Sequence, residues 1–253
     1  MASFDTLVWA LRNPRLAARR IRGSILVGGV RRDPECMHLV HAWSSGRLAR
    51  VPITEVFPGI EQVESVSLKK PEARRIGYSL DLQELVHLLG IVKLTSAKSI
   101  LEIGTYDGFT ALNIAANVDA GGMVYTVDLP SERDAIAFAS DPKLVGSKFI
   151  MEPECERIRQ LWADSTKADW QDFGGTFDMI LIDGCHEYRY VKSDSENAIW
   201  HIRPGGTIVW HDYGQMLGVS KAVDELSRMH NIVAIRGTRM ACLRNTTDPV
   251  LRH

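Results

Sequence analysis

Residues 99–128 read SILEIGTYDGFTALNIAANVDAGGMVYTVD, and this stretch decides the fold. The run 99–103 is short and apolar and ends in a glycine-rich turn, as a buried strand does. Residues 108–118 then favour a helix, and 123–127 favour a second strand that ends at Asp128. A strand, a helix and a strand in this order form a βαβ unit, so the sequence predicts a parallel sheet.

The same alternation continues on both sides of this unit. An amphipathic helix is predicted over 79–94, with Ser79 as its N-cap. Further strands are predicted at 157–162, 177–182 and 206–210, further helices at 136–139, 193–202 and 219–229, and a closing hairpin from 232–235 and 240–243. The predicted fold class is α/β: a Rossmann-like, doubly wound, mostly parallel seven-stranded sheet with a C-terminal antiparallel hairpin, plus an N-terminal extension. Ligands of such sheets bind beyond the carboxyl ends of the strands, so the strand-end residues are the candidate site.

Composition excludes several classes of protein. The chain of 253 residues is 45% hydrophobic and carries a formal net charge of −1, which excludes a disordered chain and argues against nucleic acid as a partner. No apolar run approaches the roughly 20 residues that a membrane span needs, so no transmembrane segment is predicted. The 4 cysteines form no C-x-x-C pair and no secretory signal is visible, which predicts a reducing, cytoplasmic location.

Charge divides the chain near residue 76. Residues 1–75 contain 13 Lys and Arg against 7 Asp and Glu, whereas residues 76–253 contain 17 against 24. Residues 6–22 are apolar and Arg-rich, which allows peripheral contact with an anionic membrane, but Pro14 interrupts the helix and favours a solvated or subunit-contacting segment. We therefore predict a basic extension over 1–75 that carries an acceptor lid or the contacts of a homo-oligomer, and a catalytic domain over 76–253.

Polar residues at three strand ends predict a nucleoside pocket. Residues 102–108 carry an E-x-G-x-x-x-G pattern, in which glycine permits a tight turn and the close approach of a ligand. This spacing differs from the G-x-G-x-x-G of dinucleotide folds. Asp128, about 20 residues further on, is placed to accept hydrogen bonds from a ribose diol. Asp164-Ser165 follows the third strand, where it either contacts an adenine edge or forms a helix N-cap pair, and both interpretations stay open.

Acids and histidines mark the next two strand ends. Asp183-Gly184-Cys185-His186 ends the fourth strand, and His211-Asp212-Tyr213 ends the fifth. In a parallel sheet these neighbouring ends converge beside the pocket. Two carboxylates, Asp183 and Asp212, repel each other there unless a cation binds between them or one is protonated, and oxygen-rich sites suit Mg²⁺. A histidine beside such a site is a suitable general base.

Together these motifs resemble class I S-adenosylmethionine-dependent methyltransferases. The resemblance rests on 99–115, Asp128, Asp164-Ser165 and the pattern LIDGCHEYRYVKSD … RPGGTIVWHDYG … GVSKAVDEL, and it covers about residues 76–245. This pattern is similar to the branch that includes cation-dependent macrolide-sugar O-methyltransferases. A more distant likeness is to catechol-type O-methyltransferases.

The resemblance implies a role for each matching position. The cofactor-binding residues would be Glu102, Gly104, Thr105, Gly108 and Thr110 for the methionine part, Asp128 for the ribose, Asp164 and Ser165 for the adenine, and also Asp183. The metal ligands would be Asp183, His211 and Asp212, and the general base would be His186. Two positions depart from the pattern: His211 stands where the sugar-modifying relatives have an acidic ligand, and Tyr213 stands where the catechol-type relatives have an amide ligand.

The predicted function is transfer of a methyl group from S-adenosylmethionine to a hydroxyl of a small molecule or glycoside, a sugar hydroxyl first and a phenol second. Mg²⁺ would lower the pKa of that hydroxyl and His186 would remove its proton. Without a metal, His186 and His211 would together serve as the general base. Two alternatives stay open: a nicotinamide-dependent oxidoreductase, and a non-catalytic scaffold that binds a membrane or a partner through its basic segment.

Overall fold

Eight strands form one sheet in the computed structural model of the chain, which describes residues 46–74, 79–130 and 143–245. The strands are β1 Arg50–Val51, β2 Ser99–Ile103, β3 Met123–Asp128, β4 Ile158–Trp162, β5 Phe177–Ile182, β6 Ile202–Trp210, β7 Ile232–Ile235 and β8 Ala241–Arg244. They lie side by side in the order β1-β7-β8-β6-β5-β2-β3-β4.

Most neighbouring strands run parallel, which confirms the predicted fold class. β2 lies at the centre, paired in parallel with β3 on one side and with β5 on the other. β8 runs antiparallel to both β6 and β7, so the predicted C-terminal hairpin is also confirmed. The chain leaves β2 towards β3 and later returns to β5 on the opposite side. This change of direction opens a crevice at the carboxyl end of β2, where ligands of such sheets bind.

The sheet has eight strands, one more than the seven that the sequence predicts. β1 comes from the N-terminal segment and adds in parallel to the outer edge of β7, with Arg50 opposite Ala234 and Val51 opposite Ile235. It is only two residues long, so no periodic pattern reveals it in the sequence. Its backbone groups pair with an edge that would otherwise be open.

Five α-helices lie in the described ranges: α1 Ile53–Val56, α2 Leu82–Thr95, α3 Phe109–Ala115, α4 Tyr188–His201 and α5 Leu217–Leu226. Short 3-10 helices cover Ile60–Gln62, Pro71–Ala73, Pro153–Arg157 and Trp170–Phe173. The prediction of Ser79 as the N-cap of α2 is wrong. Asp81 is the N-cap, because its carboxylate accepts the backbone N–H of Glu84 while the Glu84 carboxylate accepts the backbone N–H of Asp81. The helix predicted at 136–139 lies outside the described residues.

Apolar side chains cover both faces of the sheet. Ile100 and Leu181 lie in one buried cluster with residues of α2 and α3. Their chain neighbours Leu101 and Ile180 lie in a second buried cluster with residues of α4 and α5. Successive residues of a strand point to opposite faces, so β2 and β5 are buried on both sides. This double layer fixes the central strands and thereby the positions of the residues at their ends.

The N-terminal segment packs on the face that carries α2 and α3. Phe57 is fully buried in the first cluster. The side chain of Asn113 accepts the backbone N–H of Lys69 and donates to its carbonyl, and that of Asn117 does the same with Ser67, at 2.8–3.2 Å. Each amide also donates to the carbonyl four residues earlier. Asn113 in α3 and Asn117 just after it thus hold the N-terminal segment. The predicted domain boundary after residue 75 stays a prediction.

No helix in the described ranges has the length and apolarity to cross a membrane. Cys155, Cys185 and Cys242 are free thiols.

Candidate active site

A cavity of about 720 Å³ opens at the carboxyl ends of β2, β3, β4, β5 and β6. Most of the site residues predicted from the sequence line it: Gly104, Thr105, Thr110, Asp128, Asp164, Ser165, Asp183, His186 and Asp212. Three predicted residues lie beside the cavity without lining it: Glu102, Gly108 and His211. Residues that are more than 100 positions apart in the chain therefore meet around one space.

The glycine turn after β2 depends on the absence of side chains. Gly104 has a φ of 101°, and a Cβ placed on it would lie 2.3 Å from the carbonyl oxygen of Asp183. Gly108 has a φ of 80° and is the N-cap of α3, and a Cβ there would lie 2.5 Å from Phe149. Both values are in the left-handed region that favours glycine. Gly104 brings the β2 and β5 ends into contact, and Gly108 starts α3 beside the cavity.

Glu102 lies behind this turn. The hydroxyl of Thr126 donates to its carboxylate at 2.5 Å, and the hydroxyls of Thr126 and Thr105 are 2.7 Å apart. Burial raises the pKa of Glu102 well above its ordinary value. The structure therefore connects Glu102 to the cavity through Thr105, and direct binding of a cofactor by Glu102 stays a prediction.

Asp128 lines the cavity at the end of β3. Its two carboxylate oxygens accept the backbone N–H groups of Tyr106 at 2.9 Å and of Leu129 at 2.8 Å. Burial nevertheless raises the pKa of this carboxyl above its usual range. Each carboxylate oxygen can accept two hydrogen bonds, so Asp128 retains the capacity to accept a pair of hydroxyls. The ribose role predicted for Asp128 fits these contacts.

Asp164 and Ser165 lie on the loop after β4. One oxygen of Asp164 accepts the N–H and the hydroxyl of Thr166 at 3.1 and 2.6 Å, and the other pairs with Lys167 at 2.6 Å. Asp164 therefore caps a turn and not the helix of the N-cap interpretation, since the next helix is the 3-10 helix Trp170–Phe173, whose N-cap is Asp169. Ser165 faces the same part of the cavity. The adenine contact of both residues stays a prediction.

His186 and Asp212 form a pair at the other end of the cavity. The Nε2 atom of His186 is 3.1 Å from Oδ2 of Asp212, and the His186 side chain is 39% exposed while that of Asp212 is 8% exposed. Asp212 has a φ of 56°, so its backbone adopts the left-handed conformation directly after β6. With Asp183, the two residues offer three potential ligand atoms within 4.8 Å of one another. Convergence of the two strand ends is thus confirmed.

Glu84 and Arg239 are the site residues that sequence reasoning missed. Both are buried, and the guanidinium of Arg239 donates to the two carboxylate oxygens of Glu84 at 3.1 and 2.6 Å. A third nitrogen of Arg239 donates to Oδ1 of Asp212 at 2.9 Å. Arg239 therefore occupies one oxygen of Asp212 while His186 faces the other, which fixes the orientation of the His186–Asp212 pair.

His211 lies within the same buried cluster. Its Nδ1 is 2.9 Å from Asp183 and its Nε2 is 3.0 Å from Glu84. Burial alone would lower the pKa of His211, but the neighbouring carboxylates, Asp183 first, raise it well above its ordinary value. Two carboxylate partners require two N–H donors, so this arrangement holds the imidazolium form.

The positive charges of His211 and Arg239 also shift the pKa values of the neighbouring carboxylates. Burial of Glu84 opposes ionisation, yet the charges of His211 and Arg239 outweigh it and hold the pKa of Glu84 below its usual range. For Asp212 the balance is the same, and its pKa is also lowered. Glu84 and Asp212 are therefore ionised and balanced by His211 and Arg239.

Tyr213 lies away from the cavity. It is fully buried, its hydroxyl donates to Asp224 at 2.5 Å, and it accepts the backbone N–H of Leu48 at 2.8 Å. Its position beside Asp212 in the chain therefore does not make it a substitute for an amide ligand. It anchors the N-terminal segment to α5 instead.

Comparison with known proteins agrees with this arrangement. Residues 101–213 match a family model described as a methyltransferase domain. The catechol O-methyltransferase domain-containing protein 1 of Mus musculus is 24% identical over 206 residues, which are 77% of this chain and 67% of the relative. A solved structure from Klebsiella pneumoniae, provisionally named an O-methyltransferase, has a TM-score of 0.54 and 16% identity over 78% of this chain and 91% of that chain.

The fold and the domain match agree with each other. Residues 101–213 match a methyltransferase domain, as the motifs predict, and the mostly parallel sheet is the Rossmann-like fold expected of such a domain. The matched range contains the glycine turn and both acid-histidine strand ends. This outcome favours the methyltransferase interpretation over a nicotinamide-dependent oxidoreductase and over a non-catalytic scaffold.

Proposed function

We propose that the protein transfers a methyl group from S-adenosylmethionine to a hydroxyl of a small molecule, a sugar hydroxyl first and a phenol second. The observation that carries the proposal is that one cavity joins the predicted cofactor residues to the His186–Asp212 pair. Methyl transfer to oxygen needs both parts, because the acceptor hydroxyl must lose its proton close to the methyl donor.

The cofactor end fits S-adenosylmethionine in chemistry. Gly104 lines the cavity with bare backbone, and Asp128 retains capacity for a ribose diol. When bound, the cofactor supplies an electrophilic methyl group on a sulfonium. Gly104, Thr105 and Thr110 would hold its methionine part, and Asp164 with Ser165 would lie near its adenine.

His186 is the proposed general base. Its Nε2 faces the Asp212 carboxylate, which leaves Nδ1 as the nitrogen for the acceptor proton. Burial disfavours the charged ring, but the hydrogen bond and the charge of Asp212 outweigh this and raise the pKa of His186. Asp212 thus orients the ring and stabilises it once the proton has arrived, as a buried acid does for a catalytic histidine.

Asp183 and Asp212 are the proposed ligands of a divalent cation, Mg²⁺ first. An oxygen of Asp183 and an oxygen of Asp212 lie within 4.8 Å of each other, and a pair of carboxylates fits the charge of a divalent ion. When bound, the ion would act as a Lewis acid on the acceptor oxygen. The prediction of His211 as a third ligand stays a prediction, and it requires that His211 give up one of its two carboxylate partners.

One experiment tests the proposed reaction. The purified protein is incubated with S-adenosylmethionine carrying a labelled methyl group and with two acceptor panels, one of glycosides and one of phenols, with Mg²⁺ or with EDTA. We expect label transfer to a glycoside hydroxyl that His186→Ala abolishes. Transfer to phenols alone would overturn the sugar assignment, and full activity in EDTA would overturn the metal assignment. Absence of transfer to any hydroxyl would contradict the proposed function.

A further inference from the structure

Tyr213 directly follows Asp212 in the chain and is fully buried, yet it does not line the cavity. Its hydroxyl donates to Oδ1 of Asp224 on α5 at 2.5 Å and accepts the backbone N–H of Leu48 at 2.8 Å. Its backbone N–H donates to the carbonyl oxygen of Arg239 at 2.8 Å. Tyr213 thus joins α5, the N-terminal segment and the hairpin that carries Arg239.

The backbone of Asp212 needs support from its neighbours, because its φ of 56° lies in the left-handed region. A residue with a Cβ stays in this region only where the surrounding structure holds it there. On one side, the backbone N–H of His211 donates to the carbonyl oxygen of Ile182 at 3.1 Å. On the other side, the support is the backbone hydrogen bond from Tyr213 to Arg239. The conformation of Asp212 therefore depends on how firmly Tyr213 is fixed.

Residues 46–51 pack against Tyr213 and against the hairpin. A Cβ on Gly46 would lie 2.3 Å from the ring of Tyr213, so the bare backbone of Gly46 reaches the ring. The guanidinium of Arg50 lies 6.0 Å from the centre of the same ring and donates to the carbonyl oxygen of Thr238 at 3.0 Å. Thr238 directly precedes the arginine of the buried cluster. This short part of the N-terminal segment therefore supports the cluster from outside the cavity.

We propose that Tyr213 is a positioning residue, through which residues 46–51 hold Asp212 in the orientation that His186 requires. With Tyr213 fixed, Asp212 presents Oδ2 to Nε2 of His186 at 3.1 Å and keeps Oδ1 on Arg239 at 2.9 Å. Loss of the Tyr213 hydroxyl frees the backbone beside Asp212 and leaves the His186 ring without a fixed partner. The inference rests on the proposed function, in which His186 is the base. It makes residues 46–51 part of the catalytic apparatus, although they do not line the cavity.

The test observes the ring nitrogens of His186 by NMR in the full-length protein. Long-range proton–nitrogen correlation spectra distinguish the two neutral tautomers of a histidine ring, and EDTA keeps divalent cations off Asp212. The spectra are recorded at alkaline pH, where the ring is neutral, and His186→Ala assigns the signal. We expect a single tautomer in the wild-type protein, with the proton on the Nε2 that faces Asp212. Tyr213→Phe should replace it with the averaged signal of two exchanging tautomers.

Tyr188→Phe is the matched control. The hydroxyl of Tyr188 donates to Glu225 on α5 at 2.6 Å, so this variant also loses a bond from a tyrosine to a carboxylate on that helix. It should keep the single tautomer of His186. Both variants should bind S-adenosylhomocysteine within about threefold of the wild-type affinity, and thermal unfolding without ligand checks that each is folded. A single tautomer that survives Tyr213→Phe overturns the inference, and so does equal averaging in the control.

Asp224→Ala keeps the inference testable if Tyr213→Phe does not fold. It removes the acceptor of the same hydroxyl and leaves the tyrosine in place. We expect the averaged signal in this variant too, and a single tautomer would overturn the inference. An averaged signal in the wild-type protein would also overturn it. A single tautomer in a wild-type protein that transfers labelled methyl to no hydroxyl would instead contradict the proposed function and leave the positioning of His186 supported.

Discussion

The two ends of the cavity are built in different ways. At the cofactor end, the glycine turn and Asp128 are joined by a backbone N–H within one βαβ unit. At the acid-base end, His186 and Asp212 are held by Glu84 and Arg239, which lie 155 residues apart in the chain. The proposed binding end is thus built by local backbone geometry, whereas the proposed acid-base end is built by the charges of Glu84, Arg239 and Asp212, which only the complete fold brings together.

Removal of the Arg239 guanidinium, which joins Glu84 to Asp212, should have the largest effect on stability. Arg239→Met leaves Glu84 and Asp212 buried without their guanidinium partner, and we expect the free energy of unfolding to fall by about 4 kcal/mol. Denaturant unfolding measures this value. Arg236→Met, at an exposed position of the same hairpin, should change it by less than about 0.5 kcal/mol. Equal effects of the two substitutions would show that the network does not hold this end together.

Loss of the proposed base, His186, should lower turnover without weakening nucleoside binding. His186→Ala should lower turnover by at least about a hundredfold, which corresponds to about 3 kcal/mol in the barrier. Affinity for S-adenosylhomocysteine should change by less than about threefold, since the nucleoside contacts are at the other end. Steady-state kinetics and calorimetry on the same preparation measure both quantities, with His230→Ala as the matched control. Undiminished turnover would remove His186 from the mechanism.

Asp194 makes the cofactor end sensitive to pH. Its pKa in the folded protein is about 7, above the unfolded value near 3.9, so the folded state binds the proton more tightly. The stability that this proton contributes is complete below pH 4 and is lost as the pH rises to about 7. Relative to Asp194→Asn, the wild-type protein should lose about 2 kcal/mol of unfolding free energy between pH 5 and pH 8. Parallel pH profiles would contradict this expectation.

Loss of the contact between Asn117 and the N-terminal segment should have the smallest effect of the four substitutions. Asn117→Ala removes two hydrogen bonds to the backbone of Ser67 and should cost about 1 kcal/mol of stability. Affinity for S-adenosylhomocysteine should remain unchanged, because neither residue lines the cavity. Asn231→Ala, at an exposed position, serves as the control. A large loss of nucleoside affinity would show that the segment 46–74 supports the cofactor end directly.

The contrast between the ends also explains what the sequence could predict. Gly104 and Asp128 follow strands of clear apolar pattern, and the position of a strand end in a parallel sheet dictates what lies near it. The glycine pattern and the spacing of Asp128 therefore predict that both residues lie at one cavity, and both line it in the structure. Strands β2 and β5 were equally predictable, because their continuous apolar runs suit burial on both faces.

The buried network could not be predicted in the same way. In the sequence, Glu84 is three residues after Asp81 and forms a capping box, and nothing there indicates that its carboxylate also reaches Arg239 across the fold. Arg239 stands in the turn of a hairpin, where an arginine is usually solvated. The family resemblance implies His211 as a metal ligand, and nothing in the sequence indicates that its ring nitrogens face Asp183 and Glu84. Such pairings depend on tertiary contacts between distant segments.

We propose that one cavity binds the nucleoside at one end and removes the acceptor proton at the other. Calorimetric titration of S-adenosylhomocysteine into the wild-type protein, Asp128→Asn and His186→Ala distinguishes the two ends. We expect binding to the wild-type protein, a loss of at least about tenfold in affinity for Asp128→Asn and no significant loss for His186→Ala. No binding to the wild-type protein, or equal losses in both variants, would contradict it.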